Sequence, residues 1–323
     1  MAESAVHGSR RLIRRTGVAA AGFATAALCV VTVAPAVADG GGGGAKPTIV
    51  LVHGAFADGS SWNGVIERLE RQGYTVMAPA NPLRGLYSDS TYIASVLKSV
   101  KGPIVLAGHS YGGAVISTAA AGNAQVKSLV YISALMPDVG ESGMSLGTRF
   151  PSALGTATQA VPYEAGGGVS GTDLYLKRDK VHPVFAACLS ESQANLLGVT
   201  QRPAATTAFS ETAKVAAWKT IPSWALVGRQ DMTISPDQER FEAKRAHSHT
   251  VEINSCHVSL IAHPADVAAL ILQAATAGGS DRPALANTGS VRRTAVVAGL
   301  AGASLATGSA VVLLGRRLRR RTH

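Results

Sequence analysis

The chain has 323 residues and a formal net charge of +10. The whole excess sits at the two ends: residues 1–38 carry Arg10, Arg11, Arg14 and Arg15 against the single acid Glu3, and residues 289–323 carry seven arginines and no acid. Between them basic and acidic side chains balance, which excludes an electrostatic footprint for nucleic acid, and the low charge and plentiful apolar residues exclude a disordered body.

In chain order, the first element is a small-residue apolar run from Gly17 to Val33, behind a basic stretch and ahead of Ala36-Val37-Ala38. These are the parts of a cleavable export signal over residues 1–38, with Asp39 as the first mature residue. Ser9-Arg10-Arg11-Leu12-Ile13 resembles a twin-arginine signal; the alternative is a general secretory signal with spare arginines, and an export translocase is the partner in either case. Cys29 leaves with the signal, so Cys188 and Cys256 are the cysteines that remain, free to form a disulfide or to stay as separate thiols in an oxidising exterior. Residues 39–45 are a Gly-rich linker.

From residue 46 to 277 short apolar runs alternate with helical patterns. Strands are predicted at Thr48–Val52, Thr75–Ala78, Ile104–Ala107, Ser128–Ile132, Ser223–Val227 and Thr250–Ile253. Helices are predicted at Ser61–Gln72, Thr91–Val100, Ser110–Ala121, Pro236–Ala246 and Pro264–Ala275. This is an α/β pattern: a mostly parallel sheet of about six strands with helices on both faces. Residues 137–219 are far longer than a crossover needs and predict a small mixed cap over the carboxyl ends of the strands, with a hairpin around Tyr163 to Tyr175.

The strand Ile104–Ala107 runs into Gly108-His109-Ser110-Tyr111-Gly112-Gly113 and then a helix. A G-x-S-x-G between strand and helix sets the serine on a sharp turn with its Oγ above the sheet, and Ser110 is the candidate nucleophile. Gly143-Met144-Ser145-Leu146-Gly147 also matches, but it follows a turn and opens no clear helix, so Ser145 is set aside. Acyl transfer needs two N–H groups for the developing oxyanion; Tyr111, after the nucleophile, and Ala55, in the His53-Gly54-Ala55 loop after the first strand, are placed to supply them. His53 is read as shaping that loop. Sites in open parallel sheets form at the carboxyl ends of strands. Among nine histidines that rule selects His257, four residues past the last strand, over His247 and His249, which precede it, and over His263 at the final helix. The same rule selects Asp231 as the orienting acid, with Asp138 one strand earlier as the alternative. No His, Cys or Asp cluster has metal spacing, and the chemistry requires no cofactor.

The order Ser110…Asp231…His257, with the His53-Gly54-Ala55 loop, Trp218-Lys219-Thr220-Ile221-Pro222-Ser223-Trp224 and Cys256-His257-Val258-Ser259-Leu260, resembles the α/β-hydrolase fold superfamily. Within it the chain is similar to compact capped esterases related to plant methylesterases and bacterial pyrethroid hydrolases. The resemblance implies a serine esterase working through an acyl-enzyme. The alternatives are hydroxynitrile lyase or perhydrolase chemistry on the same triad, or a wall-displayed binding module with no activity. The cap's Phe150, Tyr163, Tyr175, Phe185, Leu196, Leu197 and Phe209 favour a small uncharged ester as substrate.

Residues 278–323 hold Leu285-Ala286-Asn287-Thr288-Gly289, an apolar run over 295–315 and a basic tail over 316–321, in that order. The run is just long enough to cross a membrane, and the tail would hold its end on the cytoplasmic side. The three parts resemble the cell-wall sorting signal of Gram-positive surface proteins. The resemblance implies a sortase that cuts between Thr288 and Gly289 and joins Thr288 to peptidoglycan. The alternative is a plain C-terminal membrane anchor.

Overall fold

The computed structural model describes residues 45–278. The export signal, all of the glycine linker but its last residue, the sorting pentapeptide, the apolar run and the basic tail lie outside the described residues.

Six strands form one sheet, β1 (Thr48–Val52), β2 (Val76–Met77), β3 (Ile104–Ser110), β4 (Val126–Ala134), β8 (Ser223–Gly228) and β9 (His249–Ile253), in the order β2-β1-β3-β4-β8-β9. Every pairing is parallel. β3 and β8 are buried along their whole length, and β1 and β4 nearly so, because both faces of the sheet are covered; this is why they read as continuous apolar runs. The edge strand β2 is shorter than its apolar run predicts, and His249 opens β9, where the sequence alone placed it just before the strand.

Helices α1 (Asn63–Arg71) and α11 (Pro264–Gly278) pack together on one face; α2 (Leu86–Ser99) and α3 (Tyr111–Ala119) pack together on the other. α1 is amphipathic, with Val65 and Leu69 inward and charges outward, whereas α3 buries all but one of its residues, which explains its Ala, Gly and Val content. α9 (Pro236–Arg245) packs on β8 and starts with Pro at its first position, and the short α10 (Ser259–Ala262) leads into α11.

The cap leaves the sheet after β4 and returns before β8. It comprises α4 (Gly143–Arg149), α5 (Leu154–Ala157), the antiparallel hairpin β5 (Thr158–Glu164) and β6 (Ser170–Leu176), α6 (Arg178–Lys180), α7 (Glu191–Thr200), β7 (Ala204–Ala205) and α8 (Thr206–Ser210). One expectation is corrected here: Gly143–Gly147 does open a helix. Ser142 caps α4 by accepting from the Ser145 N–H at 3.1 Å while Ser145 Oγ accepts from the Ser142 N–H at 2.9 Å. Two glycines at such a helix start hid it from propensity. The Ser145 hydroxyl is thereby a capping group.

Candidate active site

The strand order reverses at β1, whose chain goes on to β2 on one side and is flanked by β3 on the other. The carboxyl ends of β1 and β3 therefore border the crevice in which such sheets bind ligands. β3 ends in Ser110, held at φ 54° and ψ −127°, a conformation costly for a residue with a side chain. Packing on all sides imposes it. A Cβ on Gly112 would lie 2.4 Å from the Val52 carbonyl oxygen, one on Gly113 would lie 2.4 Å from the Leu135 carbonyl oxygen, and one on Gly54 would lie 2.6 Å from Ser110 Cβ. Only glycine lets these backbones approach, so the turn between β3 and α3 is clamped by β1 and β4.

Ser110 Oγ lies 2.8 Å from His257 Nε2, and His257 Nδ1 lies 2.6 Å from Asp231 Oδ2. With the carboxylate accepting, Nδ1 carries the proton and Nε2 is free to accept from the serine hydroxyl. Asp231 is 2% exposed and its Oδ1 accepts the N–H groups of Thr233 at 2.7 Å and Ile234 at 2.9 Å. His257 is fully buried between the Phe185 ring, 5.2 Å away, and the His109 ring, 4.8 Å away. His109 Nε2 donates to the His257 carbonyl at 3.1 Å, so the residue before the serine also fixes the backbone of the histidine. Burial holds His109 well below the usual histidine range, and it stays neutral.

His53 shapes its loop, as its position after β1 suggests. Its Nε2 accepts the Asn81 N–H at 2.9 Å, its Nδ1 donates to the Gly54 carbonyl at 2.9 Å, and burial lowers its pKa to about 4. In the same loop the Phe56 N–H donates to the Arg202 carbonyl at 3.0 Å. Ala55, between these two anchored residues, lines the same cavity as Ser110. The Tyr111 N–H, first in α3, has no intrahelical acceptor. The Tyr111 hydroxyl donates to Asp89 at 2.8 Å, which anchors the start of α3 to α2.

A cavity of about 370 Å³ opens over Ser110. Ala55, Phe56, Leu135, Leu154, Leu174, Phe209, Ile234 and Met144 give it an apolar wall, with Gln238 and several hydroxyls as its polar groups and no charged side chain in its lining. Of the cap residues proposed from sequence, Phe209 lines it. Phe185 packs beneath His257, Phe150 lies against Phe241, and Leu196 is 64% exposed. Much of the wall comes instead from α4, through Gly143, Met144, Gly147 and Thr148, which the sequence did not single out. Asp138 is occupied elsewhere, in an ion pair with Lys219. His263 lies 3.6 Å from Asp266 at the start of α11, away from Ser110. Cys188 of the cap and Cys256 are joined, with Cα atoms 5.4 Å apart, and so tie the cap to the residue before His257.

Sheet order, elbow and histidine loop together decide the family, and residues 49–270 match it. This chain belongs to the alpha/beta hydrolase family. The alpha/beta hydrolase nvfD of Aspergillus novofumigatus is 27% identical over 252 residues, 71% of this chain and 97% of that protein. A pyrethroid hydrolase of Sphingobium wenxiniae is 33% identical over 100 residues, 27% of this chain and 36% of that protein, so the chain matches about a third of its length. The crystal structure of polyneuridine aldehyde esterase superposes with a TM-score of 0.62 at 19% identity, over 71% of this chain and 98% of that one, which is a likeness of fold. Within this family fold the sequence missed the polar side chains of α9, Gln238, Glu239 and Glu242, all buried. The signal for them was weak, because glutamine and glutamate on a helix are mostly solvated.

Proposed function

We propose that this hydrolase cleaves a small uncharged carboxylic ester through an acyl-enzyme. The observation that carries the reading is the unbroken chain Ser110 Oγ–His257 Nε2–Nδ1–Asp231 Oδ2, at 2.8 and 2.6 Å, beneath an uncharged cavity. In the first step Ser110 Oγ attacks the ester carbonyl while its proton passes to His257 Nε2. The tetrahedral oxyanion takes hydrogen bonds from the Ala55 and Tyr111 N–H groups. Asp231 holds the imidazolium in place, and His257 gives its proton to the departing alkoxide. Water then attacks the acyl-Ser110 with His257 again as base, and the acid leaves with Ser110 restored. No step needs a cofactor. The names of the related pyrethroid hydrolase and of the esterase with the same fold agree with this chemistry.

The test is a fluorophosphonate probe and a panel of esters of varied acyl and alcohol groups, with cyanohydrins alongside. Wild type should label at Ser110 and turn over esters, and Ser110→Ala should lose both by on the order of 10³-fold or more. Ester turnover surviving in purified Ser110→Ala would remove Ser110 from the mechanism; cyanohydrin cleavage without ester cleavage would change the reaction class.

The terminal sequences support an enzyme that is exported and then joined to the cell wall through Thr288 after cleavage before Gly289. Muramidase should release it and detergent alone should not; extraction by detergent with the arginine tail intact points to a membrane anchor instead.

A further inference from the structure

Helix α9 carries a group that the proposed reaction leaves unused. Glu239 is 3% exposed, although glutamate is rarely buried without a partner. Its Oε2 accepts the Gly228 N–H at 3.3 Å, at the end of β8 and three residues before Asp231. Its Oε1 is buried and receives no donor from the protein. The turn that follows Gly228, closed by the Asp231 N–H on the Gly228 carbonyl at 3.0 Å, sets the buried Asp231 carboxylate beside it.

Two carboxylates in contact away from water do not both ionise, so one proton lies between them. Asp231 is the worse holder. It already accepts from Thr233, Ile234 and His257, and a carboxylate with that many donors is stabilised as the anion. Glu239 has one long backbone donor and one oxygen with none. A proton on Oε1 satisfies that oxygen and supplies Asp231 with a fourth donor. Burial first, then the Asp231 charge, push the Glu239 carboxyl well above the usual carboxylate range.

We propose that Glu239 is a positioning residue of the triad, a neutral carboxylic acid that donates from Oε1 to the Asp231 carboxylate while Oε2 holds the end of β8 from which Asp231 projects. This rests on the reading of Ser110, His257 and Asp231 as one catalytic unit.

The other titratable and charged groups facing this cluster are few. Glu242 lies on α9 with Arg245 beside it, Tyr131 on β4 faces Glu242, His109 on β3 lies against His257, and His53 after β1 lies on the far side of His109. Both histidines are neutral through burial. A donor on Asp231 draws its charge away from His257. Without that donor Asp231 stabilises the imidazolium more strongly, so His257 keeps its proton to higher pH and the acid limb of kcat/KM moves up. An ionised Glu239 predicts the opposite, because its removal takes away a charge that favours the imidazolium.

The experiment follows the His257 titration by NMR in the full chain, alongside kcat and KM against pH. The NMR readout does not depend on ester turnover, so failure of the esterase reading would show in the kinetics alone. Glu239→Gln stays neutral and keeps a donor, and its His257 should titrate within about 0.2 unit of wild type. Glu239→Leu should raise that titration by roughly half a unit or more and lower kcat roughly ten-fold at unchanged KM. A wild-type-minus-Glu239→Gln infrared difference spectrum at neutral pH should contain the carbonyl band of a protonated carboxyl. A lowered His257 titration in Glu239→Gln overturns the proposal, as does an unmoved one in Glu239→Leu. Should Glu239→Leu not fold, absence of the carboxyl band overturns it equally.

Discussion

Ser110 and His257 illustrate how far single side chains depend on their neighbours. The serine is held at positive φ by backbone contacts that glycines at 54, 112 and 113 permit, and His257, its hydrogen-bond partner, is buried and held from both sides. The choice of acid is the sharpest test at this scale. Asp231 reaches His257 at 2.6 Å, whereas Asp138 pairs with Lys219 and caps the Val139 N–H. Asp231→Asn and His257→Ala are each expected to lower kcat/KM on esters by about 10⁴-fold, and Asp138→Asn by no more than a few-fold. Steady-state kinetics on the three purified variants checks this. If Asp138→Asn is the more damaging carboxylate change, the acid lies one strand earlier.

At the scale of elements, α9 is unusual because its inner face is polar. Glu242, fully buried, accepts the Met136 N–H at 2.7 Å and the Gln238 side-chain amide at 3.3 Å. These bonds join α9 to the strand end of β4, where the cap begins. Burial pushes the Glu242 pKa up to about 7 from an ordinary value of 4.5. Between those values the unfolded chain has lost the proton and the folded chain keeps it, so folding stability declines as pH rises through that window and levels off above it. Glu242→Gln keeps an acceptor for Met136 and removes the titration. The variant should match wild type near pH 4 and gain on it by on the order of 3 kcal/mol by pH 8. Urea denaturation of both proteins across that range decides it; a difference that does not change with pH excludes the buried titration.

For the whole molecule, the decisive relation is that between the cap and the sheet. The Cys188–Cys256 bond spans 68 residues of sequence and ends beside His257. The Arg84 guanidinium, 2.8 Å from Asp173 and bonded to the Pro203 carbonyl at 3.0 Å, ties the cap sheet to the loop before α2. Closing so long a loop in the unfolded chain stabilises the native state by about 4 kcal/mol in the chain-entropy account, and native disulfides commonly contribute about 2–4. Reduction should therefore lower the denaturation midpoint, and the unfolded, unreduced protein should show no free thiol at Cys188 or Cys256. Free thiols at both Cys188 and Cys256 would show that the pair is open.

The sequence alone carries the sheet, the strand-to-helix elbow and the chain order of Ser110, Asp231 and His257. Strands that are buried on both faces need long apolar runs, and a serine on a strand-to-helix turn needs small residues around it; both requirements act within a few positions. It also narrowed the acid to the ends of two strands. Only packing sets Asp231 against His257 and Asp138 against Lys219, because the partners of each pair are far apart in the chain. Packing decided the pocket wall too. Aromatic content in the cap suggested its lining, but Phe150 and Phe185 pack against Phe241 and His257, while glycines and a methionine on α4 face Ser110. The burial of Glu239 and Glu242 was likewise illegible locally. Glu239, in the first turn, satisfies the dipole in water as well as in a core, Glu242 sits mid-helix where a glutamate is ordinarily solvated, and only the approach of β4 and the β8 turn takes the water away.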